Sequence, residues 1–337
     1  MSIMRIGLDL AKNVFEIYGI DTLEKPVLKK TIKRTELLTF FCQLEPCEVG
    51  MESCGGAHYW ARELEKFGHK IKMMAPQFVA PYRKGSKNDQ NDAQAICEAA
   101  GRPNMRFIPV KNEQQQAVLA LHRVRSLLVG ERTAQVNQIR GLLLEFGVAM
   151  PQGRDKVRAQ LPWLLEDAEN GLPLLLRELL FSQYQRLCEL DKQILESDRK
   201  IDTIAKQDEK ALRLMKLEGI GPITATAMIA SVGDIREFQN GRQFAAWLGL
   251  VPRQWSSGGK NRLGRITKRG DVYLRTLLVH GARAVIRFAE NKEDRKSLWI
   301  KDVKARRGFN KAAVALAAKH ARIVWSMLIN NTEYRVA

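Results

Sequence analysis

Short runs rich in β-branched residues dominate the first third of the chain. Three of them, Ile3 to Asp9, Val14 to Ile20 and Val27 to Lys33, are separated only by turn or charged residues, which predicts an antiparallel meander. The pattern then predicts a helix over 35–43, a strand over 48–52, a helix over 57–66, a strand over 69–75 and a helix that begins near Asp89. This β-β-β-α-β-α-β order predicts an α/β domain over residues 1–112.

Strand patterns stop after this region, and long helical patterns replace them over residues 113–210. One series of mostly apolar residues advances in steps of three and four, the spacing of a coiled-coil seam, and its members are Leu187, Leu190, Ile194, Ser197, Ile201 and Ile204. Proline and glycine concentrate between Met150 and Pro173, which predicts a turn between two long helices. The seam fits an antiparallel hairpin within one chain and a contact between two chains equally well.

The last segment, 211–337, has a mainly helical pattern and opens on two glycines around an apolar residue. Gly219, Ile220 and Gly221 precede a helix of small residues, an arrangement that resembles a helix-hairpin-helix motif. Such a turn presents backbone N–H groups to a phosphate. The same glycines would also serve simply to join two packed helices, and the sequence leaves both interpretations open.

The composition is that of a soluble globular protein. Of the 337 residues, 45% are hydrophobic and 27% charged, and the mean hydropathy is −0.27. At about 150 residues per domain the length corresponds to about two domains. No uninterrupted apolar run reaches the roughly 20 residues that span a bilayer, and Asp9 interrupts the apolar start where a signal peptide would continue. We therefore expect a cytoplasmic protein with no membrane partner.

The distribution of charge points to a polyanionic partner. The formal net charge is +18, and the segment from Val251 to Ala337 holds 20 basic and 6 acidic residues, which is +14 of that total. A surplus that served only solubility would be spread along the chain. The concentration favours a nucleic-acid-binding C-terminal part over a basic helix that lies on a membrane surface.

Four acidic residues lie at positions that suggest a shared role: two where burial of a carboxylate is unfavourable, and two on the same face of a helix. Asp9 and Glu52 each end a predicted strand among apolar neighbours, and Asp89 and Asp92 share one face at the start of a predicted helix. Hard carboxylate oxygens are the ligands of Mg²⁺, and a pair of ions about 4 Å apart supports phosphodiester chemistry. Each acid alone has an ordinary explanation, such as favourable charge at a helix N-terminus. The set of four predicts a metal site.

A polar, glycine-rich segment between residues 255 and 265 is the second chemical candidate. It contains adjacent serines, Ser256 and Ser257, before Gly258 and Gly259. A serine hydroxyl is a weak nucleophile, but neighbouring cations would stabilise a phosphate under attack. The basic residues available for this or for backbone contacts are Arg253, Lys260, Arg262, Arg265, Lys268 and Arg269. By itself the segment also fits an ordinary flexible loop.

Taken together, these motifs resemble one protein family. The ordered set consists of Gly7-Leu8-Asp9, Gly50-Met51-Glu52, the run from Lys87 to Ala93, the turn at 219–222, Gly249 to Arg253, Ser257-Gly258, and Lys268 to Asp271. It resembles the DEDD-type transposases of bacterial insertion sequences, recombinases associated with a bridge or seeker guide RNA. The resemblance spans nearly the whole chain in the family's order.

The resemblance implies a fold and a set of roles. The fold is a RuvC-like, ribonuclease H-like α/β domain, then a coiled-coil connector, then a mainly α transposase domain. By position, Asp9, Glu52, Asp89 and Asp92 match the acidic tetrad that holds Mg²⁺, with two ions per site. Ser257 matches a nucleophile that becomes joined to a DNA 5′ phosphate, and Ser256 leaves a one-residue ambiguity.

The resemblance also implies partners and an activity. The partners are DNA, a noncoding guide RNA that selects sequences by base pairing, and further copies of the chain in a dimer or tetramer. The resulting hypothesis is an RNA-guided DNA recombinase that catalyses insertion-sequence transposition, with Gly219 and Gly221 and the basic residues named above contacting nucleic acid. The alternatives are a RuvC-like endonuclease in which water is activated, and a non-enzymatic architectural protein.

Overall fold

The computed structural model describes residues 2–86 and 88–334, with Asn261 described by its backbone alone. Lys87, which belongs to one of the family motifs, lies outside the described residues. The chain forms two compact units, Met1–Glu113 and Gln114–Ala337. The finer division into segments 1–112, 113–210 and 211–337 stays a prediction.

A five-stranded mixed sheet forms the centre of the first unit. Its strands are β1 (Arg5–Leu10), β2 (Val14–Ile20), β3 (Pro26–Lys33), β4 (Glu48–Glu52) and β5 (Lys70–Met74). They lie in the order β3-β2-β1-β4-β5. The first three strands are antiparallel, and β1 pairs in parallel with β4 and β4 with β5. The predicted meander and the predicted strand order along the chain are therefore confirmed.

Four α-helices accompany this sheet. They are α1 (Leu37–Cys42), α2 (Ala57–Glu65), α3 (Pro76–Val79) and α4 (Asp89–Ala100), and a short 3₁₀ turn covers Ala80–Tyr82. Alternation along β1 buries Ile6 and Leu8 completely in a core shared with Trp60 of α2. The mixed α/β class predicted for this region is confirmed. Within the described residues of this unit, the sequence pattern missed the short helix α3 after β5 and the 3₁₀ turn that follows it.

Two long antiparallel helices begin the second unit. They are α5 (Glu113–Glu145) and α7 (Leu174–Gln207), joined through α6 (Arg154–Glu166). Ion pairs between Arg125 and Asp198 and between Arg132 and Asp191 cross from α5 to α7. Since the first residue of each pair advances along the chain while the second retreats, the helices run in opposite directions.

The predicted seam on α7 is mostly buried. Five of its six residues are buried, and Ile204 is half-buried. The packing is that of a helix hairpin within the chain, while a supercoiled coiled coil and a dimer contact stay predictions. The turn predicted over 150–173 is wrong in its middle, because α6 occupies 13 of those residues and contains Pro162. Complete burial of Val157 and Leu161 outweighs the hydrogen bond that the proline removes.

The remainder of the second unit is helical, as predicted, with one exception. Its helices are α8 (Glu209–Met215), α9 (Pro222–Val232), α10 (Gly241–Trp247), α11 (Val272–Ala289), α12 (Arg295–Arg307) and α13 (Phe309–Asn330). The exception is a β-hairpin, β6 (Pro252–Ser257) with β7 (Lys260–Ile266), where the sequence predicted a flexible loop. The missed signal is the Gly258-Gly259 pair, whose positive φ values of 55° and 76° suit a two-residue hairpin turn.

Helix α13 combines the length and composition of a membrane span with the packing of a core helix. It has 22 residues, with a mean hydropathy of 1.4 in its most apolar window. Leu316, Ala317, Ala321 and Val324 are completely buried in the core of the second unit. Its apolar face therefore has a partner within the protein.

Candidate active site

The sheet places Asp9 and Glu52 at neighbouring strand ends. Gly7 of β1 lies directly opposite Gly50 of β4 in the parallel pairing. Side chains alternate between the two faces of a strand, so Asp9 and Glu52, each two residues further on, lie on the same face as the glycines. The two carboxylates therefore occupy adjacent carboxyl-terminal strand ends on the face opposite the Ile6 and Leu8 side chains.

Helix α4 packs directly on the paired glycines. A Cβ atom added to Gly7 would lie 2.1 Å from the Ala93 carbonyl oxygen, and one added to Gly50 would lie 2.7 Å from the Ala100 Cβ. Neither contact is possible for a larger residue, so the two glycines allow the helix to approach the sheet closely. The helix runs against the strand direction here, and its first turn lies toward the strand ends.

That first turn supplies the other two acids. Asn88 caps α4 by accepting a hydrogen bond from the Asn91 N–H at 2.7 Å, which starts the helix at Asp89. Asp89 and Asp92 lie in the first turn, as the sequence predicted. The four acids thus come from β1, β4 and the amino-terminal end of α4.

The electrostatics of Asp9 show that the four carboxylates share one field. Burial raises the pKa of Asp9 from 3.8 to about 6, with further increases from the charges of Asp89, Asp92 and Glu52. Burial also raises the pKa of the Cys54 thiol, and the charges of Asp9 and Glu52 raise it further. A concentrated negative field of this kind favours a cation.

The donor set suits a hard divalent ion, although the side chains do not surround one. Among the described residues, no three His, Cys, Asp or Glu side chains stand close enough together to hold a metal as they are arranged. The Arg83 guanidinium forms an ion pair with the Asp92 carboxylate at 3.0 Å, so Asp92 points toward Arg83. The carboxylate chemistry fits Mg²⁺, and its binding at this site would require rearrangement of these side chains.

Ser257 lies at the tip of the β6–β7 hairpin in the second unit. It pairs with Lys260 across the Gly-Gly turn, and Trp255 pairs with Arg262. Paired residues share a face of a hairpin, so Ser257 lies on the face that carries both cations. All of β6 is exposed. The Ser257 hydroxyl is therefore open to a large substrate and has positive charge beside it.

Ser256 lies on the opposite face, because neighbouring residues in a strand alternate. Its hydroxyl accepts a hydrogen bond from the Gln254 side chain at 2.9 Å. On the Ser257 face, the Trp255 ring packs over Gly264, where an added Cβ would lie 2.4 Å from the ring. The alternation separates the two serines that the sequence left ambiguous, and only Ser257 shares its face with Lys260 and Arg262.

The base of the hairpin is held by close backbone contacts. Gly249, at φ 71°, lies against Arg269, where an added Cβ would be 2.0 Å from the Arg269 carbonyl oxygen. The Lys268 N–H donates to the Gly249 carbonyl at 3.1 Å, and buried Arg275 donates to the Leu248 carbonyl at 3.1 Å. These contacts fix the connections on both sides of the hairpin.

The basic residues predicted to contact nucleic acid are all solvent-accessible. Exposed positions in and beside the hairpin are those of Arg253, Lys260, Arg262, Arg265, Lys268 and Arg269. Arg253 donates to the Thr267 carbonyl at 3.5 Å, close to the base. The hairpin is therefore basic on its outer surface and anchored at its inner end.

The predicted glycine turn joins α8 to α9, and its two glycines differ. Gly219 has a φ of 88°, and an added Cβ would meet the Gly281 carbonyl oxygen of α11 at 2.9 Å. Gly221 is exposed and precedes the first residue of α9, with nothing within 4 Å of an added Cβ. Gly219 therefore has a packing role within the core, and only the Gly221 side of the turn is open to a ligand.

Comparison with known proteins reveals close relatives along the whole chain. A "Probable family 20 transposase" of Pseudomonas aeruginosa is 53% identical over 99% of both chains. The "Transposase for insertion sequence element IS1111A" of Coxiella burnetii is 44% identical over 98% of this chain and 91% of its own, and the "Transposase for insertion sequence element IS1328" of Yersinia enterocolitica is 42% identical over 98% of both. The chain belongs to the IS110/IS116 family of insertion-sequence transposases.

Two family models match separate parts of the transposase. One for DEDD-type transposases of the IS110 group matches residues 6–147, and one described as "Transposase IS116/IS110/IS902 family" matches residues 211–297. The four acids fall within the first range, and Ser257 and the hairpin cations within the second. The protein is a DNA-acting enzyme, so the architectural alternative does not apply.

Sequence reasoning missed two contributors to the site's geometry. Arg83 lies in a segment whose charge the sequence shows, but its contact with Asp92 depends on the turn that Ala80–Tyr82 makes. Trp255 reaches the Ser257 face only because the segment is a hairpin. Because every residue of 252–257 is exposed, hydrophobic patterning does not detect this strand, and the signal that could have revealed the hairpin is the Gly258-Gly259 pair.

Proposed function

We propose that this transposase holds Mg²⁺ at the acidic site of Asp9, Glu52, Asp89 and Asp92 and cleaves DNA strands by attack of Ser257 on the phosphodiester. The observation that carries the first half is the raised pKa of Asp9 in the shared field of the other three acids. Such a field is unfavourable for folding, and it is useful where a cation is bound. The second half is supported by the exposed hydroxyl of Ser257 beside Lys260 and Arg262.

The four carboxylates would hold Mg²⁺, two ions per site, with half-buried Asp9 among the ligands. When bound, the ions would polarise the phosphate and stabilise the leaving oxygen of phosphodiester cleavage. Arg83 would exchange Asp92 for a phosphate oxygen as Asp92 turns to the metal. Asn88, by capping α4, keeps Asp89 and Asp92 in the first turn of the helix.

The covalent step belongs to Ser257. Its oxygen forms a bond to phosphorus, the bond from phosphorus to the 3′ oxygen breaks, and the serine proton ends on the departing 3′ hydroxyl. The product is a serine joined to a DNA 5′ phosphate. Lys260 and Arg262 would stabilise the negative charge that builds on the phosphate oxygens during attack.

A serine nucleophile goes beyond what the DEDD family name implies, since that name refers to the acids alone. Ser257 lies in the range of the second family model, which describes the family without stating its chemistry. The alternative of a RuvC-like endonuclease uses the same acids to activate water and gives no covalent product. Detection of a covalent protein–DNA product separates the two.

The transposase would also bind nucleic acid through surfaces outside the acidic site and would work as an oligomer. The basic hairpin and the open Gly221 side of the turn would bind nucleic-acid phosphates, with a noncoding guide RNA selecting the DNA sequence. The strand order β3-β2-β1-β4-β5 supports a RuvC-like assignment for the first unit. The α8–turn–α9 arrangement supports a helix-hairpin-helix-like role, and further copies of the chain would form a working dimer or tetramer.

Substitution of Asp9 tests the acidic site. Asp9→Asn should reduce Mg²⁺-dependent cleavage of insertion-sequence end DNA by at least about a hundredfold. The same change should raise the free energy of unfolding in chelator, because it removes a half-buried charge repelled by three others. Glu45→Gln, an exposed acid in the same unit, is the control and should leave both quantities unchanged. Wild-type cleavage by Asp9→Asn protein would refute the assignment.

A further inference from the structure

A basic cavity lies beside the long helix α5, in a part of the chain outside both the acidic site and the hairpin. Its volume is about 430 Å³, and it is lined by one face of α5 and by the start of α6. The lining residues that matter for its chemistry are Arg132, Thr133, Asn137, Arg140, Gly153 and Arg154. Among the described residues that line it, none is acidic.

The arginines around this cavity exceed the acids that neutralise them. Arg132, Arg154 and Arg158 all contact one carboxylate, Asp191, at 3.0 to 3.4 Å. Asp191 is 8% exposed in its side chain, so it holds the guanidinium groups in place from beneath. One carboxylate among three arginines leaves positive charge, and the only other acid paired here is the exposed Asp155, which contacts Arg154 in the described structure.

Arg140 adds a further cation in a fixed orientation. Its Nε atom donates to the Met150 carbonyl at 3.2 Å, which ties α5 to the loop before α6. A guanidinium held through Nε keeps its terminal N–H groups aligned as a fork, the geometry that matches two oxygens of a phosphate. Thr133 and Asn137 place a hydroxyl and an amide one helical turn apart on the same wall.

The start of α6 contributes backbone donors to the same cavity. Gly153, at φ 110°, is the N-cap of this 13-residue helix, and no side chain caps it. The first N–H groups of a helix and its dipole favour an anion. The cavity, its arginines and the start of α6 therefore all favour an anion.

We propose that this cavity binds a phosphate group of a nucleic-acid strand. A volume of about 430 Å³ exceeds what a lone phosphate fills and leaves room for the adjoining sugar. The Asn137 amide suits the polar oxygens of such a sugar–phosphate unit, and the Thr133 hydroxyl, which donates to the Val129 carbonyl at 2.9 Å, can accept a hydrogen bond from a sugar hydroxyl. The site goes beyond the proposed strand cleavage, since it contains none of the acids or serines assigned to that reaction.

Two single-charge substitutions on α5 form the test. Asn137→Asp places a negative charge in the cavity, whereas Gln138→Glu makes the same change of net charge on the next residue, which does not line it. The probes are inorganic phosphate, followed by ³¹P NMR line broadening, and a fluorescein-labelled 12-nucleotide single-stranded RNA, followed by anisotropy across a salt series. Circular dichroism checks that each variant is folded.

We expect Asn137→Asp to weaken RNA binding about tenfold or more and to lower the slope of log K against log salt by about 0.7, the contribution of one contact to a single strand. Gln138→Glu should stay close to wild type. Arg140→Gln, which keeps a donor for Met150, should repeat the loss. Phosphate binding that disappears in Asn137→Asp while RNA binding is unchanged would reassign the cavity to free phosphate and overturn the nucleic-acid proposal. Equal behaviour of Asn137→Asp and Gln138→Glu with both probes would overturn the site altogether.

The outcome is independent of the catalytic proposal. Inorganic phosphate binding needs neither metal nor cleavage, so its failure leaves the Asp9→Asn result standing. Conversely, cleavage at the acidic site would not make the ³¹P line broadening of inorganic phosphate depend on Asn137. The two proposals therefore fail separately.

Discussion

The contact between Gly7 and α4 allows the position of the acidic first turn to be tested without touching an acid. Gly7→Ala adds one Cβ atom that would lie 2.1 Å from the Ala93 carbonyl oxygen, 2.5 Å from the Cys97 nitrogen and 2.8 Å from the Cys97 Cβ. Two of these three atoms are backbone, so no rotation of a side chain relieves the clash. The helix must move away from the sheet.

The size of that movement follows from ordinary contact distances. A carbon atom and a non-bonded heavy atom pack at about 3.5 Å, so the helix must move away from the sheet by about 1 Å or more near Ala93. Asp92 precedes Ala93 directly and moves with it. A displacement of about 1 Å in a catalytic group costs about a hundredfold in rate. Overpacking in a core also costs about 1–3 kcal/mol of unfolding free energy.

We therefore expect Gly7→Ala to lose about a hundredfold in Mg²⁺-dependent cleavage and about 1–3 kcal/mol in urea unfolding while still binding DNA. Gly55→Ala is the matched control, since an added Cβ there meets nothing within 4 Å. Cleavage is measured on labelled DNA, and unfolding by tryptophan fluorescence. A Gly7→Ala protein with wild-type cleavage and wild-type stability would show that close packing on the glycine does not position the acids.

Three further predictions address the second unit. Ser257→Ala should eliminate the covalent adduct on denaturing gels and Ser256→Ala should retain it, because only Ser257 shares a face with Lys260 and Arg262; the reverse result would move the nucleophile by one residue. Lys260→Gln should lower the salt slope of duplex DNA binding by about 0.9, with exposed Lys29→Gln as control, and equal slopes would show that Lys260 faces only solvent. Burial lowers the pKa of His320 to about 3, so the unfolded chain gains a proton below about pH 6.5 that the folded chain does not. The free energy of unfolding should then fall by about 1.4 kcal/mol per pH unit from this group as pH drops from 6.5 toward 4, and an unchanged dependence in His320→Leu protein would contradict it.

The first unit could be predicted from its sequence because its signals are local. Alternation along β1 and β4 separates buried Ile6 and Leu8 from Gly7 and Asp9, and a capping asparagine marks the start of α4. The closeness of Asp9 and Glu52 follows from the parallel pairing of β1 with β4, and Asp89 and Asp92 join them because α4 packs on Gly7 and Gly50. Both contacts join distant segments, and the sequence indicates them only through strand order.

The second unit was harder to predict because its sequence signals are weak, as in the hairpin, or fit more than one structure, as at Pro162. The hairpin has no buried face, so hydrophobic patterning has nothing to detect there. Pro162 indicates a turn by its chemistry, while the burial of Leu161 depends on α7 and keeps the residue helical. Tertiary packing overrides the local preference at Pro162, whereas the hairpin forms around the Gly258-Gly259 turn, a local signal that hydrophobic patterning does not detect.

The structure also changes how the basic C-terminal charge should be tested. Removing the chain from about Lys301 would delete α13, whose Leu316 and Val324 are completely buried, so the loss of binding would report unfolding. Substitutions of exposed cations such as Lys260 keep the core intact. They measure the same electrostatic contribution without this complication.

The most direct test of the central claim is to locate the covalent bond. Wild-type protein is incubated with insertion-sequence end DNA and Mg²⁺, digested with nuclease and protease, and its peptides are analysed by mass spectrometry. We expect a nucleotide attached through a 5′ phosphate to Ser257, dependent on Mg²⁺ and absent from Asp9→Asn protein. Cleaved DNA with a free 5′ phosphate and no modified serine peptide would contradict it and identify the enzyme as a hydrolase.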